Sequence, residues 1–227
     1  MKSLFIVSLP RSLSTVVYHV ARLALRLEEP IWTSDGEVLN YDRFTLRDEP
    51  AHDDGAKYVR QEKEPELFQK LLSFAGDTLK SEGAAYKDVV QPFLLSTFLS
   101  DRDFAVLKIK RNLTDVCYSM LKMEWFYPAR AAEKSTRLDD AVVEGLIRAE
   151  AAIDSIPGET IDYDNFIDNE QTIRNSLVTL YPNDKVRGFT FIDDDFRKST
   201  EKILKRRETD LYKEIAQRVD RVKMGIN

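Results

Sequence analysis

Short apolar runs alternate along the chain with longer segments in which apolar residues recur at helical spacing. A continuous apolar run is typical of a strand buried on both faces of a parallel sheet, and strands that alternate with helices build α/β folds. We predict strands at residues 4–7, 85–90, 104–109 and 160–162. The pattern therefore predicts a mostly parallel central sheet that is flanked by helices on both faces.

The helical segments have recognisable ends. The first is expected to end near Glu28–Pro30, because proline disfavours continuation of a helix. A second begins at Glu64–Pro65, which suits a first helical turn, and is expected to end at Glu82–Gly83. The last is expected to be one helix over residues 198–224, with a solvated basic face formed by Lys202, Lys205, Arg206 and Arg207.

The composition narrows the class of protein. A length of 227 residues suits one domain spanning residues 1–227, and the net charge of −5 with a pI near 5.3 argues against a general binder of nucleic acid or anionic membranes. No apolar run approaches the ~18 residues that cross a bilayer. Cys117 is the only cysteine, which excludes an intrachain disulfide and favours a reducing compartment. We therefore expect a soluble cytoplasmic protein.

The turn between the first strand and the first helix is suited to an anion. A helix N-terminus presents unpaired backbone N–H groups and a partial positive charge. Arg11 adds forked guanidinium donors, and hydroxyl groups follow at Ser12, Ser14 and Thr15. The plain alternative is that Ser12 only caps the helix while Arg11 is solvated. The loops GxxxxGK[ST] and GxGxxG are absent, which argues against an ordinary ATP or dinucleotide site.

A second turn of the same kind follows the strand at residues 104–109. Arg111 lies just after the carboxyl end of this strand, where open α/β sheets bind their ligands. Asn112 and Asp115 resemble a capping box at the start of the next helix, and Ser119 lies about two turns further along that helix. The alternative interpretation is a solvated arginine and a serine without a special role.

Three stretches together resemble the sulfotransferase family. Pro10–Thr15 resembles the 5'-phosphosulfate loop P-[KR]-S-G-[ST]-T, with Leu13 in place of the usual glycine. Arg111–Ser119 resembles the 3'-phosphate motif R-[ND]-P-x-D-x-x-x-S, with Leu113 in place of proline. Tyr163–Phe166 resembles the Y-E-D-L element that follows a late strand. The resemblance implies a three-layer α/β fold of the sulfotransferase and P-loop NTPase type.

The resemblance also implies a reaction and roles for individual residues. The reaction is transfer of a sulfuryl group from 3'-phosphoadenosine 5'-phosphosulfate to a hydroxyl or amine of a small-molecule or glycan acceptor, which leaves adenosine 3',5'-bisphosphate. Arg11 is expected to stabilise charge on the leaving phosphate. The phosphosulfate is expected to be bound by Ser12, Leu13, Ser14 and Thr15, and the 3'-phosphate by Arg111 and Ser119. No metal is expected.

Two features of the resemblance leave alternatives. A leucine at position 13 would be strained at a positive φ, so the loop is expected to be more nearly helical there. The general base is expected to be Glu29, which lies in a glutamate–proline element after the first helix, with alternatives at Asp88, His19 and His52.

Residues 31–61 are polar and dotted with aromatic side chains, and we expect them to form an acceptor-side loop or lid. The aromatic cluster Trp125–Tyr127 is expected to pack in the core. Basic residues for the 3'-phosphate are available late in the chain at Arg187, Arg197 and Lys198. A nucleotide-dependent small-molecule kinase and a catalytically silent nucleotide-binding protein remain the alternative functions.

Overall fold

The computed structural model describes residues 1–30, 35–39, 58–124 and 138–225 of the chain. In these ranges the strands are β1 (Leu4–Ser8), β2 (Ala85–Asp88), β3 (Ala105–Lys110) and β4 (Glu159–Asp162). The helices are α1 (Ser14–Leu25), α2 (Pro65–Thr78), α3 (Pro92–Ser100), α4 (Leu113–Met123), α5 (Asp140–Asp154), α6 (Tyr163–Asp168), α7 (Gln171–Leu180), α8 (Asp194–Arg206) and α9 (Asp210–Lys223).

The four strands form one parallel sheet in the order β2-β1-β3-β4. Leu4 of β1 pairs with Ala85 on one side and with Ala105 on the other. The chain first leaves β1 toward β2 and then crosses back to β3, so the strand order reverses between β1 and β3. In a sheet of this kind, the crevice outside the carboxyl ends of those two strands is the usual ligand site.

The two faces of the sheet are buried in separate hydrophobic cores. Side chains alternate along each strand, and one face packs against α2, α3, α4, α5 and α9 through Phe5, Val7, Tyr86 and Val106. The other face packs against α1, α6 and α7 through Leu4, Ile6, Ala85, Leu107 and Ile109. The predicted α/β class with a parallel sheet between two helical layers is therefore confirmed.

Two predicted helix ends are wrong by several residues. α1 ends at Leu25, because Arg26 adopts a left-handed conformation whose amide donates to the carbonyls of Arg22 and Leu23. α2 ends at Thr78, and the amide of Lys80 donates to the hydroxyl of Tyr86 at 2.9 Å. In both places the chain leaves the helix to run along the sheet. The proline and glycine that follow therefore mark the end of the connection and not the end of the helix.

The predicted single helix over residues 198–224 is two helices, α8 and α9, that meet at Arg207–Thr209. The hydroxyl of Thr209 caps α9 by accepting a hydrogen bond from the amide of Tyr212. The sequence Thr209-Asp210 is an N-cap followed by an acid, which is a helix start signal inside an otherwise continuous periodic pattern.

The described parts of the predicted acceptor-side segment pack beside β2. Glu37 forms a parallel bridge with Lys87, and four neighbouring residues are buried: Val38, Leu39, Tyr58 and Val59. The rest of that predicted loop, including His52, lies outside the described residues, as does the predicted core cluster Trp125–Tyr127. Among the helices that the structure describes, none is long and apolar enough to span a membrane.

Candidate active site

The turn from β1 into α1 has an unusual backbone. Arg11 has a φ of 65° and Leu13 a φ of 57°, so two residues with side chains occupy the left-handed region. The expectation of a nearly helical conformation at Leu13 is therefore wrong, although Leu13 does immediately precede the helix as its N-cap. The first helical bond runs from the amide of Val17 to the carbonyl of Leu13, which leaves the amides of Ser14 and Thr15 outside the helical ladder.

Within the described residues, no side chain caps the N-terminus of α1. The Ser12 side chain, which was the predicted alternative cap, is only 1% exposed, and its hydroxyl has no hydrogen-bond partner in the same part of the structure. Leaving a buried hydroxyl unpaired costs about 1–3 kcal/mol, so such a group indicates a site for a bound partner. Ser14 is also buried, whereas Arg11 and Thr15 are exposed.

The turn after β3 contacts the turn after β1 through two arginines. The Nε of Arg11 donates to the Oγ of Ser119 at 3.2 Å, and Nη1 of Arg111 donates to the carbonyl oxygen of Arg11. The predicted phosphosulfate loop and the predicted 3'-phosphate residues are therefore joined by hydrogen bonds across the crevice between β1 and β3. The sequence predicted each turn, and the strand order explains why they meet.

Arg111 is buried next to this contact, and its Nε has no hydrogen-bond partner among the described residues. Its guanidinium carbon lies 4.2 Å from the centre of the Tyr163 ring, and the residue is 7% exposed. Burial lowers the pKa of the Arg111 guanidinium, but an arginine keeps its charge in proteins. Tyr163 opens the stretch that resembles the Y-E-D-L element, so this stretch supports the arginine by stacking.

The turn after β3 also contains a network that the sequence did not reveal. The Asp115 carboxylate accepts hydrogen bonds from Arg207 at 2.5 and 3.2 Å, and Arg207 also donates to Asp164 at 2.7 Å. The hydrogen bonds that Arg207 donates to Asp115 and Asp164 raise its pKa. The predictions that Asp115 completes a capping box and that Arg207 is solvated are therefore wrong. Asn112 does cap α4, because its side chain accepts from the amide of Thr114 at 2.8 Å.

A cleft of about 240 Å³ lies between the β1–α1 turn and the carboxyl end of β2. One wall is the loop 10–15, and the other is formed by Asp35, Glu37, Lys87, Val89 and Val90. The first wall includes the cationic residue Arg11 and the helix N-terminus, while the second carries a cluster of carboxylates around one lysine. The cleft is therefore positive on one side and mainly acidic on the other.

The acidic wall is tightly bonded. Nζ of Lys87 donates to Glu37 at 2.5 Å and lies 3.9 Å from Asp35. The second oxygen of Glu37 accepts the amide of Val89 at 3.2 Å. Behind them Asp88 is fully buried and accepts the amides of Val90 and Gln91, at 2.9 and 2.6 Å. Its other oxygen, Oδ2, has no hydrogen-bond partner among the described residues, and burial together with the charge of Glu37 raises the pKa of Asp88 well above its ordinary 3.8.

The residues predicted as a general base lie in different places. Glu29 accepts a hydrogen bond from the hydroxyl of Tyr18 at 3.4 Å and lies 3.8 Å from Arg22, and it does not line the cleft. His19 packs against the Tyr18 ring. Asp88 lies in the cluster behind the cleft wall, and Glu37 is the carboxylate that sequence reasoning missed. The sequence feature that could have pointed to Glu37 is the apolar pair Val38-Leu39 beside it in a polar segment, which indicates a short stretch that pairs with the edge of the sheet.

The late basic residues are remote or already paired. The amide of Arg187 donates to the carbonyl of Ala24, near the end of α1 that is opposite the loop 10–15. Arg197 and Lys198 pair with acids of their own helix and are exposed. No group of three His, Cys, Asp or Glu side chains suited to a metal ion occurs in the four described ranges.

Comparison with known proteins gives structural likeness alone. No family model matches the sequence, and no curated protein matches it significantly. Among solved structures, the chain is similar to the sulfotransferase domain from the curacin biosynthetic pathway (TM-score 0.48, 11% identity, covering 99% of this chain and 97% of that one). It is also similar to a sulfotransferase from Alicyclobacillus acidocaldarius (TM-score 0.44, 12% identity, covering 100% and 97%). Likenesses this distant do not transfer a function.

Proposed function

We propose that this chain is a sulfotransferase that moves a sulfuryl group from 3'-phosphoadenosine 5'-phosphosulfate to a hydroxyl or amine of a small-molecule or glycan acceptor. The observation that carries the proposal is the contact between two anion-binding turns. The β1–α1 turn has an uncapped helix N-terminus and an unpaired buried hydroxyl at Ser12, within the described residues. Arg111 and Ser119 of the next turn bond directly to it.

Two adjacent anion sites suit a ligand with two separate anionic groups on one ribose. The backbone amides of the β1–α1 turn and the hydroxyls of Ser12 and Ser14 bind the 5'-phosphosulfate. Arg111 and Ser119 bind the 3'-phosphate, which distinguishes this donor from ATP. Because the chain as a whole carries a net charge of −5, these local cations and dipoles supply the attraction for a polyanion.

Arg11 is the group suited to the chemical step. Transfer of the sulfuryl group leaves negative charge on the oxygen that bridged sulfur and phosphorus. The exposed guanidinium of Arg11 is anchored through its Nε to Ser119, and its terminal nitrogens are suited to face the cleft. A fixed cation at that point stabilises the leaving phosphate more in the transition state than in the ground state, which accelerates the reaction.

Calorimetric titration with adenosine 3',5'-bisphosphate, ADP and ATP tests the donor site. We expect the bisphosphate to bind at least tenfold more tightly than ADP, since only the bisphosphate offers a group to Arg111 and Ser119. Arg111→Ala and Ser119→Ala are expected to remove this preference. Arg197→Ala is the matched control, because Arg197 is exposed and pairs with Asp194 on its own helix.

Arg111 is buried, so thermal unfolding of Arg111→Ala has to be compared with that of the milder Ser119→Ala. Loss of preference in both variants, with Ser119→Ala still folded, supports the proposal. Equal binding of ADP and the bisphosphate, or no binding of either, would overturn it. Binding of ATP that requires magnesium would instead favour a kinase.

A further inference from the structure

The cleft between the two walls has room for an acceptor group opposite the donor loop. An anion bound by the loop 10–15 faces the wall formed by Asp35, Glu37 and Lys87 across the cleft of about 240 Å³. In-line transfer requires the attacking atom to approach from the side opposite the leaving group. The acceptor atom therefore enters between the loop and the acidic wall, and a proton acceptor has to lie on that wall.

Glu37 is the buried carboxylate on that wall, and hydrogen bonds to both of its oxygens fix its position. It is 3% exposed, and its two oxygens already accept one hydrogen bond each from Lys87 and from the amide of Val89. A carboxylate offers about four lone-pair sites, so Glu37 retains capacity to accept a further proton or hydrogen bond. Ser12 lines the same cleft, and its buried hydroxyl, which has no partner among the described residues, independently indicates that a ligand belongs there.

Asp88 lies between the two residues that bond to Glu37. Lys87 and Val89 flank it in the sequence and donate to the two oxygens of Glu37, so the two carboxyl groups belong to one cluster. The remaining groups that face the pair are Lys87 and Asp35 beside it, Arg11 on the opposite wall, and the fully buried Tyr58 behind Asp88. Asp88 is fully buried and its Oδ2 has no hydrogen-bond partner among the described residues, so burial and the nearby charge of Glu37 favour its protonated form, while Lys87 supplies a positive charge beside Glu37.

We propose that Glu37 is the base that removes the proton from the acceptor, that Asp88 is its protonated positioning partner, and that the acceptor group is uncharged or cationic. The inference rests on the proposed sulfotransfer. It does not select Glu29, because Glu29 is not among the residues that line the cleft and its carboxylate is engaged by Tyr18 and Arg22. The acidic wall, with Asp35 and Glu37 against Lys87, disfavours an anionic acceptor.

The step balances as follows in atoms and charge. A new bond forms between the acceptor oxygen or nitrogen and sulfur, while the bond from sulfur to the bridging oxygen breaks. The electron pair of the broken bond stays on the leaving phosphate beside Arg11. The acceptor proton goes to the Glu37 carboxylate, which then returns it to solvent through the open cleft, and Asp88 keeps its own proton throughout.

Transfer to simple phenols tests Glu37, because phenols differ in whether they need a base. Phenol is protonated at pH 8, whereas p-nitrophenol is largely ionised there. We expect Glu37→Gln to slow transfer to phenol by about 10²–10⁴-fold and transfer to p-nitrophenol by much less. Glu201→Gln, an exposed change on α8, is the matched control and is expected to leave both rates unchanged. Adenosine 3',5'-bisphosphate binding is measured for every variant.

Two further variants separate the roles of the pair. Asp88→Asn imitates a protonated aspartate, since its oxygen still accepts the amides of Val90 and Gln91 and its NH2 carries no charge. We expect it to keep the phenol rate within a few-fold, whereas Asp88→Ala loses more than tenfold and changes the pH profile. An Asp88→Asn variant as inactive as Asp88→Ala would overturn the positioning role.

The acceptor class is tested with tyramine and 4-hydroxybenzoate, which are cationic and anionic phenols. We expect tyramine and phenol to be sulfated at least tenfold faster than 4-hydroxybenzoate. The inference would be overturned if Glu37→Gln lost the same factor in rate with phenol and with p-nitrophenol. It would also be overturned if Glu29→Gln lost the transfer to phenol instead, or if transfer occurred only to the anionic probe. Bisphosphate binding without transfer to any uncharged or cationic probe would overturn it as well. Absence of bisphosphate binding in the unaltered protein would instead refute the proposed function itself.

Discussion

The β1–α1 and β3–α4 turns lie side by side at the carboxyl edge of the sheet, yet their polar groups are satisfied in different ways. In the β3–α4 turn, Asn112 caps the helix and Arg207, from a later helix, neutralises Asp115. In the part of the chain that the structure describes, the β1–α1 turn has no side-chain cap, holds two residues at positive φ, and leaves the Ser12 hydroxyl unpaired. Backbone strain therefore lies in the β1–α1 turn, whereas in the β3–α4 turn the buried Nε of Arg111 is the group that has no partner among the described residues.

The largest expected effect is a loss of activity when a residue of the β1–α1 turn is replaced. Arg11→Ala is expected to lower kcat for sulfuryl transfer by about 10²–10³-fold, because it removes the cation beside the leaving phosphate. Stability should change little, since Arg11 is exposed. Steady-state rates and chemical unfolding of the same variant measure both quantities. A variant that unfolds easily but retains its kcat would assign Arg11 to structure instead.

The next largest effect is on stability at the β3–α4 turn. Arg207→Ala leaves the buried Asp115 carboxylate without its main partner, and we expect a loss of about 2 kcal/mol in the free energy of unfolding. Arg206→Ala, the neighbouring exposed arginine on α8, is the control and should change the free energy by less than about 0.5 kcal/mol. Urea denaturation with a constant m-value tests the difference. An equal loss in the two variants would mean that the Arg207 network is not stabilising.

The smallest effect concerns the backbone of the two turns. Replacing Leu13 removes the same packing in Leu13→Ala and Leu13→Gly, but only glycine adopts the φ of 57° without strain. We expect Leu13→Gly to be about 1 kcal/mol more stable than Leu13→Ala. At Leu113, which starts α4 in the other turn, the order should reverse because glycine disfavours a helix. A Leu13→Ala variant as stable as Leu13→Gly, or more stable, would show that the left-handed turn carries no strain.

Local sequence patterns predicted the strands and the two turns, because the conformation of these elements depends mainly on residues that are close in the sequence. The four strands were predicted to within two residues at each end, because each lies between clear turn or helix signals and β1 and β3 are mainly apolar. Both turns that carry the candidate anion-binding residues were predicted from the same local signals, and the parallel sheet explains their proximity. The proposed roles of Arg11, Arg111 and Ser119 stay predictions, as does the general base Glu29.

Long-range partners were outside the reach of such patterns. Arg207 is 92 positions from Asp115, so its burial against that acid could not be inferred from the helical period around it. Glu37 meets Lys87 across 50 positions, in a segment whose polarity suggested only a loop. The left-handed Leu13 reflects tertiary support for a strained backbone, and the sequence contained only the warning that leucine is unusual there.

The order of the sheet also has a consequence for synthesis. β1 is central, and Leu4 pairs with Ala85 and with Ala105, which are translated roughly 80 and 100 residues later. At about 5–20 residues per second, the apolar strand waits on the order of 5–20 s for its second neighbour. During that interval the turn that follows it has no fixed shape. The nascent chain therefore exposes the apolar strand β1 early, and we expect it to bind chaperones most before β3 emerges from the ribosome.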